Sequence, residues 1–274
     1  MKLKDKVAVI TGAGGGLGRS IAKAMAAEGA KIAICDINEK TLAETETELK
    51  QSGADVQALK CDISSSAEVA KMFDAIKKRF GTVHILVNNA AIVPGDPAGI
   101  ERNNKFMELL TKPIKRKSLG VTKDMSNEEW HRFWGVNVHG LFYCTREALN
   151  LMEPQREGKI INIASISGTS YAAAHSPHYS ASKGAVVAFT RSVGFEVAGG
   201  NIYVNCIAPG AIMTPDAETY FENLPEEELN RFFQIIPAGR IGKPDEYASL
   251  AVYLASDGHY LYGQILSPNG GTII

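Results

Sequence analysis

The chain has 274 residues, of which 45% are hydrophobic, so it is long enough for one large domain or two small ones around a substantial buried core. Its 29 basic and 30 acidic side chains give a formal net charge of −1, which provides no general attraction to nucleic acid or to an anionic membrane. The first apolar run, residues 7–10, is too short for a signal peptide or a membrane span, so we expect a cytoplasmic protein.

Short runs rich in β-branched residues alternate with longer helical patterns along the chain. Capping boxes at Ser65 and Ser126 mark the starts of two helices. This alternation is typical of a parallel sheet with helices on both faces. We therefore predict an α/β fold in which residues 1–274 form a single doubly wound Rossmann domain, with a seven-stranded, mostly parallel sheet and its ligand at the carboxyl ends of the strands. The predicted strands are residues 7–10, 32–35, 56–61, 85–88, 160–164, 203–208 and 264–267.

A glycine-rich segment, residues 11–20 (TGAGGGLGRS), directly follows the first predicted strand and leads into a helix. Glycines allow a tight turn and a close approach of the backbone to a pyrophosphate, whose charge is then stabilised at the helix N-terminus. The spacing is Gly12-x-x-x-Gly16-x-Gly18 instead of the widespread G-x-G-x-x-G. Because any tight turn between a strand and a helix uses glycines, the cluster alone is weak evidence for a phosphate site.

Acidic residues end the next two predicted strands. Asp36 lies 24 residues after Gly12, close to the spacing at which a carboxylate accepts hydrogen bonds from the adenosine ribose. Such a carboxylate repels a 2′-phosphate, and residues 13–16 include no Arg or Lys to neutralise one, so NAD is favoured over NADP. Arg19 is the main argument for NADP. Asp62, after the third strand, either accepts from an adenine amino group or caps the next helix.

The segment of residues 92–125 is longer than the connection between a strand and a helix requires. An insertion of this length has a function of its own or is mobile. Its basic residues fit a site for a carboxylate or for CoA phosphates, an ordinary charged surface, or an oligomer contact. These residues are Lys112, Lys115, Arg116 and Lys117, beside the apolar Phe106, Met107, Leu109 and Leu110.

The four cysteines show no pattern typical of a metal site or a disulfide framework. They are Cys35, Cys61, Cys144 and Cys206, and no two of them have the CxxC spacing. A free cysteine in an apolar run behaves as a small hydrophobic residue. We predict that all four are reduced core residues, and we expect no metal site.

Several motifs occur in a fixed order along the chain, and together they resemble those of the short-chain dehydrogenase/reductase family. The resemblance covers essentially the whole chain apart from the insertion. The motifs are Thr11-Gly12-x-x-x-Gly16-x-Gly18, Asp62, Asn88-Asn89-Ala90, Asn137 in GVNVHG, Ser165 in NIASISG, Tyr179-x-x-x-Lys183, and Pro209-Gly210 with Thr214.

The resemblance implies hydride transfer between a nicotinamide and a carbonyl or alcohol carbon, in a homotetramer or dimer. It assigns catalysis to Asn137, Ser165, Tyr179 and Lys183. Asn137 is implied to anchor a water that relays protons past Lys183, although a locally satisfied polar group in a helix is the alternative. The cofactor contacts are assigned to Gly12, Gly14, Gly16, Leu17, Gly18, Asp36, Ile37, Asp62, Ile63, Asn89, Ala90, Tyr179, Lys183, Pro209, Gly210, Ile212 and Thr214.

The chemistry of the Tyr179 and Lys183 pair supports this assignment from the residues themselves. Reduction of a ketone needs a proton at oxygen while hydride reaches carbon. The two residues are four apart and therefore lie on one helix face. An ammonium about 4 Å from the phenol contributes roughly 4 kcal/mol at an effective dielectric constant of about 20, or about 3 pKa units. The predicted phenol pKa is therefore near 7, and Ser165 is expected to hydrogen-bond the substrate oxygen.

Substrate recognition is expected from the loop over residues 166–178, from the segment after Pro209, which includes a lid, and from the insertion. Ser167, His175 and His178 are the candidate substrate contacts, although the histidines are equally well explained as exposed loop residues or helix-entry contacts. Residues 211–240 form the predicted lid, or else an ordinarily packed helical segment. The apolar residues of this segment are Tyr220, Phe221, Leu224, Phe232, Phe233 and Ile236.

The predicted function is NAD(H)-dependent oxidation of a secondary alcohol or reduction of a ketone, with Tyr179 as the acid/base. One alternative is a reductase of 3-oxoacyl thioesters of an acyl carrier protein or CoA, which would have to use NADH because of Asp36. The other is a catalytically idle, NAD-sensing binding protein.

Overall fold

Seven strands form one sheet in the computed structural model, which describes residues 1–273 apart from the side chains of Asp216 and Tyr220. The order across the sheet is 3-2-1-4-5-6-7, and every neighbouring pair is parallel. The predicted fold is confirmed, and each predicted strand ends within two residues of the observed one. The strands are β1 (Val7–Thr11), β2 (Lys31–Asp36), β3 (Val56–Lys60), β4 (Ile85–Asn88), β5 (Gly158–Ile163), β6 (Ile202–Ile207) and β7 (Ile265–Leu266).

Helices cover both faces of the sheet. Ser65 and Ser126 cap the third and sixth of them, because each side chain accepts a hydrogen bond from the backbone three residues later. The predicted capping boxes form only in part, since Glu68 accepts from the Asp62 N–H and Glu129 from Arg102. The helices are α1 (Gly16–Ala27), α2 (Glu39–Gln51), α3 (Ser66–Phe80), α4 (Pro97–Thr111), α5 (Val121–Asp124), α6 (Asn127–Trp134), α7 (Leu141–Gln155), α8 (Pro177–Glu196), α9 (Pro215–Glu222), α10 (Glu226–Gln234) and α11 (Pro244–Ala255). A π-helical turn, Gly135–Gly140, joins α6 to α7.

The hydrophobic core has two main layers, one on each face of the sheet. Alternate side chains of β1 point to opposite faces: Ile10 packs with α1, α2 and α11, whereas Val9 packs with α3, α7 and α8. All four cysteines are free and buried, as predicted. The strand order reverses between β1 and β4, and a doubly wound sheet opens its ligand crevice at such a point.

Two segments outside this framework lie near the carboxyl ends of the strands. The insertion contains α4 and α5, joined by an exposed loop over residues 112–120. The predicted lid contains α9 and α10, and its ends are joined by a parallel bridge between Ile212 and Gly242. The side chain of Tyr220, which we counted in the apolar surface of the lid, lies outside the described residues. No described helix is long and apolar enough to cross a bilayer.

Candidate active site

A cavity of about 380 Å³ opens at the carboxyl ends of the first four strands. Seven of the seventeen predicted cofactor contacts line it, so the structure brings residues from four separate strand ends to one place. These are Gly12, Asp36, Ile37, Asp62, Ile63, Asn89 and Ala90.

The glycine-rich segment closes one side of this cavity, and its packing admits no side chain at two positions. Gly12 has φ +63°, and a Cβ there would lie 2.7 Å from Ala90 Cα. A Cβ on Gly18 would lie 2.2 Å from the Gly12 carbonyl oxygen. At Gly15, in contrast, an added Cβ meets nothing within 4 Å. Gly15 precedes α1 and makes no side-chain cap, so the first N–H groups of the helix fit the phosphates of a dinucleotide.

Asp36 lies at the rim of the same cavity, Arg19 donates to the carbonyl oxygen of Gly14, and both side chains have protein partners. Asp36 Oδ2 accepts from the Gly14 backbone N–H at 2.9 Å, and Oδ1 accepts from the N–H of Asn38 at 2.9 Å. Arg19 pairs with Glu48 at 3.1 Å and with Glu44 at 3.5 Å. The guanidinium that argued for NADP is therefore already neutralised by two carboxylates.

Asp62 and three predicted cofactor contacts outside the cavity lining, Leu17, Ile212 and Thr214, have protein partners or packing of their own. Asp62 accepts from both the backbone and the hydroxyl of Ser64, while Ser65 supplies the cap of α3. The side chains of Leu17 and Ile212 pack in or against the hydrophobic core, so any contact from Leu17 would be through its backbone. The methyl group of Thr214 approaches Gly16, which places the segment after β6 against the glycine-rich loop.

Ser165, Tyr179 and Lys183 meet at the carboxyl end of β5. The Ser165 hydroxyl lies near enough to the Tyr179 phenol to lower its pKa, and both side chains line a second cavity of about 430 Å³. Ser165 Oγ also accepts from the Ser167 backbone N–H at 3.1 Å. Lys183 Nζ donates to the Ile163 carbonyl oxygen at 2.8 Å and lies 5.9 Å from the centre of the Tyr179 ring.

Burial is the main influence on the ionisation of both Tyr179 and Lys183. It raises the pKa of Tyr179, and the nearby Ser165 hydroxyl opposes that effect. Burial also lowers the pKa of Lys183 to about 8. The predicted phenol pKa near 7 is therefore wrong for this structure, because the ammonium is directed at Ile163 and desolvation of the phenolate dominates. The phenol is protonated at neutral pH.

Replacing Lys183 by Met is expected to change how stability depends on pH. Because the pKa of Lys183 falls from 10.5 to about 8 on folding, the unfolded chain holds this proton more tightly, and the free energy of unfolding should rise as pH increases from about 8 to about 10.5. Urea unfolding of the wild type and the variant at pH 7 and pH 10 measures this change in the free energy of unfolding. The wild-type value, relative to the variant, should rise by roughly 2 to 3 kcal/mol. If the difference in unfolding free energy between wild type and variant were the same at both pH values, the lowered pKa of Lys183 would be contradicted.

Asn137 lies in the π-helical turn, and its side chain bonds to residues outside that turn. Its Oδ1 accepts from the Ile92 backbone N–H at 2.8 Å, and its Nδ2 donates to the Ile92 carbonyl oxygen at 3.0 Å and to Ser182 Oγ at 3.0 Å. The side chain is therefore not satisfied locally. It joins the first residue of the insertion to the helix that carries Tyr179.

The 430 Å³ cavity is walled by both of the segments that lie outside the framework. The insertion contributes side chains of α4, and the predicted lid contributes α10 and the residues after it. The lining includes Asn103, Phe106, Met107 and Leu110 from α4, Phe232, Ile235 and Ile236 from the lid, and Ser165, Ser167, His175, Tyr179 and Gly210 from the sheet end.

His175 and His178 are both buried, so the interpretation that they are exposed loop residues is wrong. They differ in their position relative to the cavity. His175 lines the cavity, and its ring packs against that of Phe106. His178 is not among the lining residues: it is completely buried, edge-on to Phe133 at 4.0 Å, with Nε2 3.4 Å from Glu129 Oε1. Neighbouring residues on a helix point about 100° apart, so His178 faces away from the surface to which Tyr179 is directed.

The basic residues of the insertion do not line the cavity. Lys112 pairs with Glu108, and Lys115, Arg116 and Lys117 are exposed in the following loop. This arrangement favours an ordinary charged surface. The insertion was expected to contribute to substrate recognition, but its residues were not named as substrate contacts, although positions 103, 106, 107 and 110 have the spacing of one helical face. Among the described residues, no group of potential ligands could hold a metal ion.

Comparison with known proteins identifies the family. Residues 6–225 match the sequence model of the short chain dehydrogenase family. The chain is 33% identical to a 3-oxoacyl-(acyl-carrier-protein) reductase FabG of Thermotoga maritima over 100% of both chains. Among solved structures, levodione reductase has a TM-score of 0.83 at 29% identity, covering 98% of each chain.

A second solved structure is a variant of actinorhodin polyketide ketoreductase with NADPH. Its TM-score is 0.83 at 31% identity, and the match covers 97% of each chain. The matches thus span nearly the whole length of the chain. The chain belongs to the short-chain dehydrogenase/reductase family.

Proposed function

We propose that this chain reduces a ketone of the 3-oxoacyl type, or an apolar ketone of similar size, with NADH. The observation that carries the proposal is the partly buried phenol of Tyr179, which lines an apolar cavity beside Ser165. Because its pKa is raised, the phenol holds its proton at neutral pH, which is the form needed to protonate a carbonyl oxygen.

The catalytic residues have separate roles in this proposal. A bound nicotinamide supplies the hydride. Ser165 holds the substrate oxygen, and Tyr179 donates the proton to that oxygen as the alcohol forms. Lys183 is fixed by the Ile163 carbonyl, and its low pKa lets it pass a proton toward Tyr179 after turnover. The bonds from Asn137 to Ile92 and Ser182 hold one wall of the substrate cavity and the active-site helix together.

The proposed cofactor is NAD(H), and NADP(H) is the weaker candidate. Asp36 presents a carboxylate at the rim of the 380 Å³ cavity, where it would accept from the ribose hydroxyls and repel a 2′-phosphate. Arg19 is paired with two glutamates. The named ketoreductase relative was solved with NADPH, so cofactor choice is the first property to measure.

Two features support a ketoacyl substrate over a generic secondary alcohol. The curated relative reduces 3-oxoacyl groups according to its name, and it matches the chain end to end. The cavity wall is rich in apolar side chains from α4 and α10, which suits an acyl chain or a ring. Alcohol oxidation remains the second candidate, since an NAD-preferring site favours oxidation in a cell.

A panel of ketones and alcohols with NADH, NADPH, NAD and NADP tests these proposals together. We expect the highest kcat/KM for a 3-oxoacyl thioester with NADH. The rate is measured from the fall in NADH absorbance. A preference for simple secondary alcohols with NAD would favour the second candidate. Cofactor binding without turnover of any substrate would favour the idle binding protein. The clustering of Ser165, Tyr179 and Lys183 near the end of β5 argues against it.

Three expectations extend the proposal beyond chemistry. The segment 211–240 would act as a substrate lid, because Phe232 and Ile236 reach the cavity while Ile212 and Gly242 tie its ends. The insertion, residues 92–125, would form the opposite wall. A homotetramer or dimer and a cytoplasmic location stay predictions from the family resemblance and the sequence, and light scattering of the purified protein would test the assembly.

A further inference from the structure

His175 is the least satisfied polar side chain in the wall of the substrate cavity. The residue is only 7% exposed, and its ring centre lies 5.5 Å from that of Phe106. Neither ring nitrogen has a hydrogen-bond partner within residues 1–273. Nδ1 is fully enclosed whereas Nε2 is not, which leaves Nε2 as the nitrogen open to a ligand in the cavity. Buried polar atoms in folded proteins nearly always have a partner, so an unpartnered one beside an active site points to a ligand.

Neighbouring polar side chains of the wall already use their hydroxyl hydrogens within the chain. Ser170 Oγ donates to the Ile166 carbonyl oxygen at 2.8 Å. Thr272 donates to the carbonyl oxygen of Asn269 at 2.7 Å. These hydroxyl groups already donate to acceptors in the protein, whereas the imidazole of His175 has no hydrogen-bond partner and can bind a ligand.

The charge state of His175 limits what it can bind. Burial, and then the nearby Arg102 guanidinium, lower its pKa to about 4, so the imidazole is neutral at physiological pH. A neutral imidazole offers one donor and one acceptor. Such a group recognises an uncharged oxygen by a hydrogen bond, and it gives a carboxylate no ionic attraction.

We infer that His175 recognises a second, uncharged oxygen on the substrate and thereby selects ketones that carry such an oxygen near the reacting carbonyl. The inference rests on the proposed function, since it assumes that a ketone occupies the cavity. Tyr179 and Ser165 hold the reacting oxygen, and His175 lies in the wall of the same cavity. A 3-oxoacyl thioester has the required second oxygen in its thioester carbonyl.

The test uses His175→Phe, which keeps a ring to pack against Phe106 but has no ring nitrogen. Two substrates are compared with the purified enzyme: acetoacetyl-N-acetylcysteamine, and the matched ketone in which a methylene replaces the thioester carbonyl. We expect kcat/KM for the thioester to fall by about 10- to 100-fold, mainly through KM, and that for the plain ketone to change less than about 2-fold. His175→Asn, which restores a donor and an acceptor, should recover part of the loss.

Tyr171→Phe is the matched control, because Tyr171 lines the same cavity but is largely exposed. It should leave the preference for the thioester unchanged. If His175→Phe does not fold, His175→Leu takes its place. Equal losses on both substrates, or no loss on either, would overturn the inference while the proposed function stands. A wild-type enzyme that reduces no ketone would overturn both.

Discussion

Replacing Tyr179 by Phe is expected to lower kcat for ketone reduction by about 100- to 10,000-fold, the usual contribution of a positioned acid or base. The substitution removes only the phenolic hydroxyl, so the edge-on packing of the ring near Phe133, at 6.4 Å between centres, is kept. The affinity for NADH should change less than about 2-fold. Steady-state rates and NADH fluorescence titration measure the two quantities.

The control for this experiment is Ser167→Ala, a change in a neighbouring residue of the same cavity wall. Ser167 bonds to Ser165 but does not itself hydrogen-bond with the phenol. Ser167→Ala should lower kcat far less than the loss of the Tyr179 hydroxyl does. If Tyr179→Phe retained more than about a tenth of wild-type kcat, a different acid would have to be sought, and the proposed mechanism would be wrong.

Replacing Asp36 by Ser is expected to lower the preference for NADH over NADPH by about 100-fold. Two effects act in the same direction: charge-assisted hydrogen bonds to the ribose hydroxyls are lost, and repulsion of a 2′-phosphate disappears. A serine hydroxyl still offers an acceptor near the Gly14 N–H, which Asp36 now binds at 2.9 Å. The ratio of kcat/KM values with the two cofactors measures the change.

Asp62→Asn provides the matched control for the cofactor experiment. Asp62 lines the same 380 Å³ cavity, but its carboxylate bonds to Ser64 at the next strand end. Asp62→Asn should weaken the binding of NADH and NADPH alike and leave the ratio of the two kcat/KM values within about 3-fold of the wild-type ratio. An unchanged ratio in Asp36→Ser would refute the role given to that carboxylate.

The arrangement of the acid/base pair was only partly predictable from sequence. Spacing alone puts Tyr179 and Lys183 on one helix face, and the structure agrees. The direction of the ammonium depends on the Ile163 carbonyl, which belongs to a strand twenty residues earlier. The effect of burial on the phenol likewise depends on the elements packed around it. For these reasons the sequence argument predicted a pKa shift of the wrong sign for Tyr179.

The walls of the substrate cavity show a second limit of sequence reasoning. The helical spacing of Asn103, Phe106 and Leu110 is visible in the sequence, but which surface α4 packs against is set by tertiary contacts. One such contact is the ion pair between Arg102 and Glu129, at 2.7 Å. The two histidines were also indistinguishable in sequence, because Pro177 starts the helix between them and only the helix geometry separates their directions.

The paired hydrogen bonds between Asn137 and the backbone of Ile92 have a consequence for engineering. The amide side chain engages both backbone groups of Ile92, much as a neighbouring strand would, so the point at which the insertion leaves the sheet is fixed. The residues beyond that point are free to differ in length and sequence. Exchanging residues 93–125 for the corresponding segment of a relative is therefore a route to new substrate selectivity that leaves Tyr179 in place.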